Sequence, residues 1–168
     1  MKLAEALAER ADLQKRLQQV THRAQAAARY QEGSQPPEDV NELLAEGVRL
    51  ADDIQSLVVR INATNSDTTI RLPKDWGSGR HAAQAEVTIT AAIAIRDCLN
   101  MQRKLVTEVT EAAAGTRGIF GYRRTRTELV DQSDLNVAER RAEIDRYAKH
   151  HRELDVLIQQ ANWNTDLL

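Results

Sequence analysis

Residues 3–27 place Leu3, Ala6, Arg10, Leu13, Leu17, Val20, Ala24 and Ala27 on one seam when read in alternating steps of three and four. Only Arg10 on that seam is charged, so the pattern predicts a long first helix. It should end near Tyr30, where residues 31–37 (QEGSQPP) supply a glycine and two prolines. A second seam follows in the same rhythm: Val40, Leu43, Gly47, Leu50, Ile54, Leu57, Ile61 and Thr64. Gly47 is its weak point, costing about 1 kcal/mol against Ala unless a neighbouring helix approaches closely there. The short connection sets the two helices antiparallel.

The period changes over residues 66–88. Thr68–Leu72 (TTIRL) and Ala85–Ile89 (AEVTI) alternate around a turn-like Pro73–Gly79, which reads as a small β-hairpin or a plain loop. A third helix is expected from about Thr90 to Ala114, with Ile95, Cys98, Gln102, Leu105, Val109 and Ala112 on one face. Residues 115–134 form an arm. Asp134 then suits the N-cap of a fourth helix with Val137, Ile144, Tyr147, Leu154, Ile158 and Ala161 on one side.

The fold class expected is therefore all-α: two long antiparallel helical hairpins, arranged as a four-helix bundle or a coiled-coil-like assembly. Residues 1–168 read as a single helical domain, with hairpins at 1–65 and 89–165 joined by 66–88. The hairpins also resemble each other. Leu3, Ala6, Leu7, Ala8, Arg10 and Leu13 match Ile89, Ala92, Ile93, Ala94, Arg96 and Leu99 without a gap. INATNSDT at Ile61–Thr68 and IQQANWNT at Ile158–Thr165 close helices 2 and 4 alike. One hairpin written twice explains this, against chance alignment of alanine-rich helices.

Antiparallel pairing puts Arg10 towards the end that holds Asn65, and Arg96 towards Asn162. Arg10, Asn65, Arg96, Asn162 and Trp163 are thus a candidate polar cluster, either capping helix C-termini or lining a ligand pocket. Arginine on an apolar seam is costly unless paired, and Glu5, Asp12 and Asp97 are the nearest acids in sequence.

Composition narrows the functional classes. Net charge is −2, which argues against a general polyanion binder. The one cysteine, Cys98, allows no intramolecular disulfide and, on an apolar face, reads as an inert thiol. The charged first turn is unlike a secretory signal, so a cytoplasmic setting is expected, and no stretch is apolar enough to span a membrane as a helix. His22, His81, His150 and His151 never show the four-residue spacing of a helical metal pair. A bound metal stays open only as an oxygen-rich site between subunits, using Glu5, Glu32 or Glu128; no cofactor is predicted. No serine elbow or glycine-rich phosphate loop is present, and no enzyme is expected. In the arm, Arg117, Arg123, Arg124 and Arg126 surround Phe120 and Tyr122. That mix grips nucleic acid in some proteins, but the acidic background favours contact with a neighbouring subunit, Glu128 included.

KLAEALAERADLQKRL at Lys2–Leu17, RINATN at Arg60–Asn65, RTEL at Arg126–Leu129 and RELDVLIQQANWNTDL at Arg152–Leu167 resemble one uncharacterised bacterial family of small helical proteins. Its label comes from a locus tag of the diphtheria corynebacterium, and its members are often called septicolysins. The resemblance implies a helical, self-associating protein and no mechanism. Two departures stand out here: an expanded link between helices 2 and 3, and Thr127-Glu128-Leu129-Val130 where the family has Ser-Glu-Ile-Lys. A lytic role is rejected, since neither an apolar spanning helix nor inserting strands are visible. The functional expectation is a non-enzymatic, self-assembling homo-oligomer, a scaffold. The alternatives are a metal- or small-ligand-binding oligomer and, less favoured, a nucleic-acid-binding arm.

Overall fold

The computed structural model of the chain describes residues 1–73, 76, 86–115 and 133–168. Along them run α1 (Leu3–Ala27), α2 (Val40–Asp67), β1 (Thr69–Arg71), β2 (Glu86–Thr88), α3 (Ile89–Ala113) and α4 (Val137–Asn164). The all-α class holds, with the two short strands pairing antiparallel between α2 and α3. α1 and α3 are each 25 residues long, and α2 and α4 are each 28.

Contacts divide the chain into two compact units that cut across the expected hairpin boundaries. The first comprises Met1–Thr69, Thr88–Thr90 and Gln159–Leu168; the second comprises Ile70–Val87 and Ala91–Ile158.

In the first unit α1 and α2 pack along the predicted seams. Val20, Ala24, Ala27, Leu43 and Leu50 are buried together, with Leu13, Leu17 and Val40 against them. A fully buried Leu or Val contributes about 1.5–3 kcal/mol. Gly47 faces α1: a Cβ there would lie 3.7 Å from Leu17 Cδ1 and 3.8 Å from Val20 Cγ1, which is ordinary contact. The close approach that would require glycine is thus absent. Asp39 caps α2, accepting from Asn41 N at 2.7 Å and Glu42 N at 3.3 Å. Arg23 of α1 reaches across to Glu38 beside that cap, with Nε to Oε1 at 3.1 Å and to Oε2 at 3.0 Å.

In the second unit α3 and α4 also run antiparallel. Arg96 near the start of α3 pairs with Asp155 near the end of α4, while Thr107, Thr110 and Ala114 share a shallow cavity with Arg141 and Ile144. Gly115, at φ +72°, ends α3 in the left-handed region and donates from its N to Ala112 O at 3.2 Å. Two expectations need correction. The α3 core face is Ile95, Leu99 and Thr110, whereas Leu105 and Val109 are 63% and 49% exposed. The cap of α4 is Asn136 and not Asp134: Asn136 Oδ1 accepts from Glu139 N at 3.2 Å.

Candidate functional site

The polar chemistry of the first unit gathers where α1 begins and where α2 and α4 end. Helix ends leave backbone groups without intrahelical partners, and here they are satisfied by exchange between segments. Leu3 N donates to Thr165 O at 2.9 Å, and Ile89 N donates to Thr68 O at 2.9 Å. Thr165 N in turn donates to Ala161 O, and Thr68 N to Thr64 O, each at 2.9 Å. The residue that follows each of α2 and α4 therefore accepts the first amide of another helix.

Side chains reinforce this knot. Thr64, buried in α2, donates from Oγ1 to Arg60 O at 2.9 Å and accepts from Leu168 N at 3.1 Å. Arg60 Nε donates to Leu168 O at 2.7 Å. Lys2 Nζ donates to Asn164 O at 3.2 Å and pairs with Asp166 at 2.9 Å. That pairing holds the Asp166 carboxyl below its ordinary value. Glu5 Oε2 accepts from Lys2 N at 2.7 Å, so this acid is occupied in closing the first turn of α1.

The predicted cluster is distributed as follows. Asn162 is buried, Asn65 is half-buried and Trp163 is 62% exposed, all in the first unit. Arg96 belongs to the second unit, where its Nη2 and Nη1 lie 3.0 Å from Asp97 and 3.2 Å from Asp155. Arg10 has neither kind of partner. Its Nε is buried with no hydrogen-bond partner, and no carboxylate among the described residues lies within ion-pair distance. The contacts of Leu17 and Val20 with the Gly47 position set the α1–α2 register. Counting back to Arg10 and forward by the same number along α2 reaches Ile54–Leu57, about 12–17 Å short of Asn65. Arg10 and Asn65 share a unit but not a level.

The knot residues Thr64, Lys2, Arg60 and Asp166 escaped the sequence reading, because a threonine inside a helix and charges near helix ends carry no specific signal. A second cluster escaped it too. Trp76, buried, donates from Nε1 to Glu153 Oε2 at 3.0 Å and stacks on His150 with ring centres 4.9 Å apart. It lies in the expanded link, and nothing local in sequence points it at α4. The arm residues Arg117, Phe120, Tyr122, Arg124, Arg126 and Glu128 lie outside the described residues. Among the described residues, no three or more His, Cys, Asp and Glu side chains form a group that could hold a metal ion, and no helix is long and apolar enough to cross a membrane.

The fold is that of a mostly helical protein whose helix ends in the first unit are tied together by hydrogen bonds between segments. Its family is shown directly: residues 10–167 match a family of unknown function (DUF6847), and the chain belongs to it. The chain is also similar to a functionally unknown conserved protein from Corynebacterium diphtheriae, at 33% identity and a TM-score of 0.79, covering 100% of this chain and 99% of that one. No curated protein matches. Neither description names a lytic activity, and the septicolysin label finds no support in them.

Proposed function

We propose that this chain is a non-enzymatic, cytoplasmic protein that assembles with copies of itself, built from one helical hairpin duplicated. The observation that carries the assembly is the outer face of α2. Leu44, Val48, Ala51, Gln55, Val59 and Asn62 follow at steps of three and four without a charge among them, and Leu44, Val48 and Val59 are 56%, 62% and 60% exposed. Such a stripe beside a helix's own core face is a docking feature. A second copy fits it by charge. Arg49 and Asp52 lie within one turn on its rim, so an antiparallel copy brings Arg49 of each chain towards Asp52 of the other. The duplication is supported by the equal helix lengths, by Asp39 and Asn136 capping α2 and α4 alike, and by the two matched amide bonds onto Thr68 and Thr165.

Native mass spectrometry of the untagged protein tests the assembly. The wild type is expected as a defined oligomer, and Leu44→Glu with Val48→Glu should reduce it to monomer without loss of helicity. A wild-type monomer, or an oligomer indifferent to both substitutions, would overturn the reading. We assign the 115–134 arm a second subunit contact on its basic and aromatic residues. Deleting residues 116–130 should then also lower the native mass.

A further inference from the structure

We infer that the outer face of α3 is a further contact between copies, an antiparallel seam that sets Leu105 of one chain against Leu105 of the partner subunit. The inference rests on the proposed self-assembly and adds the place where α2-linked pairs meet. α3 turns Ile95, Leu99 and Thr110 inward and still carries an apolar stripe on another face. Ala94, Cys98, Met101, Leu105, Val109 and Ala112 follow at steps of three and four without a charge among them. Met101, Leu105 and Val109 are 64%, 63% and 49% exposed, and in the stripe only Cys98 is half-buried. A continuous stripe about 27 Å long is more than scattered apolar surface.

The stripe is complementary to itself. About a twofold axis at Leu105, Met101 faces the partner's Val109 and Cys98 faces the partner's Ala112, so large side chains meet large ones and small meet small. Charge selects the direction. Lys104 and Glu108 lie on one edge of the stripe, and neither forms an ion pair among the described residues. In an antiparallel copy the two edges fall on the same side of the seam, which brings Lys104 of each chain towards Glu108 of the other. A parallel copy puts the edges on opposite sides and pairs neither charge. The α3 seam is weaker than the α2 stripe. Met101 gives up more rotamer freedom than a valine, and Lys104 lacks the fork that Arg49 presents to Asp52. It therefore closes between pairs already joined through α2, where the effective concentration is raised. Two different twofold contacts in one chain then close as a tetramer.

The register is tested on the full-length protein by Leu105→Cys in a Cys98→Ser background under mild oxidation. It should cross-link to itself nearly completely. Met101→Cys in the same background should not, whereas a mixture of Met101→Cys with Val109→Cys should. Native mass tests the contact. The wild type is expected as a tetramer, and Leu105→Glu should halve its mass with helicity kept, while Leu44→Glu with Val48→Glu gives the monomer. A Leu105→Glu protein of unchanged mass, or a Leu105→Cys protein that stays unlinked, overturns the α3 seam and leaves the α2 contact standing. A self-linked Leu105→Cys protein whose mass ignores the α2 substitutions overturns the α2 contact alone. The α2 stripe runs in the same steps from Leu44 to Asn62, with Gln55 in the place of Leu105. Linkage of Leu105→Cys to Gln55→Cys instead of to itself would put α2 on this face and overturn the inference.

Discussion

The two hairpins agree in almost everything that builds a helix and differ where a charge must be neutralised. α1 and α3 have equal lengths, as do α2 and α4, and each long second helix opens on an Asx cap. Yet Arg96 holds two aspartates, while Arg10 faces no carboxylate among the described residues. Helix length, caps and end-to-end hydrogen bonds are set by backbone requirements that both halves share. Ion pairs on the flanks are not, and they differ between the two hairpins.

That comparison can be broken most forcefully at the core. Leu57 and Leu154 are matched positions, 6% and 0% exposed. Replacing either with Ala should cost about 3 kcal/mol of stability by urea unfolding, with the two costs alike within about 1 kcal/mol. A cost in only one hairpin would show that the halves are not equivalent where they look most alike.

Gly47 offers a smaller, opposite effect. Its match in α4 is Ile144, so the first hairpin alone carries a helix-interior glycine. Because a Cβ there meets only ordinary contacts, Gly47→Ala should stabilise the protein by about 1 kcal/mol, seen as a higher Tm. Destabilisation would mean that α1 and α2 sit closer than described.

The arginines should then separate. Arg96→Met strands two partly exposed aspartates and should cost about 0.5–1 kcal/mol, whereas Arg10→Met should be neutral or stabilising by a similar amount. Equal losses in the two variants would erase the contrast.

The smallest effects are in pH. Hydrogen bonding to Arg23 and Lys2 holds Glu38 and Asp166, both in the first unit, below their ordinary values. Their contributions are present above the usual carboxylate range and are lost as pH falls through the lowered values. In the second unit the hydrogen bond to Glu143 raises Tyr147, whose contribution is present below the usual tyrosine range and lost as pH rises through the raised value. Both carboxylates are open to solvent, Glu38 partly and Asp166 largely, so the acid-side change in Tm should be slight and should shrink in high salt. A large, salt-resistant acid transition would place the important carboxylates elsewhere.

The seams of α1 and α2 were legible: they follow the buried faces, and in α2 the apolar residues of the buried face outnumber those of the exposed stripe beside it. In α3 the expected face mixes buried and exposed positions. Ile95 and Leu99 on one side compete with Met101, Leu105 and Val109 on another, and periodicity cannot choose between them without the neighbours. Asp134 and Asn136 are both good caps two residues apart, and only geometry separates them. At the site, the Arg/Asn signature does not point to the hydrogen bonds that close the helix ends. Thr64 acts through Leu168, a partner 104 residues away, and no local pattern encodes that.

The bond from Leu3 to Thr165 also bears on how the chain folds. It spans nearly the whole sequence, as does the bond from Leu167 N to Met1 O at 2.9 Å. Each hairpin closes through contacts of short sequence separation, while this junction carries the largest loop-closure entropy in the molecule. The first turn of α1 should therefore order last. In hydrogen exchange its amides would open before the rest of α1, and a refolding chain would pass through a stage with formed hairpins and a loose first turn.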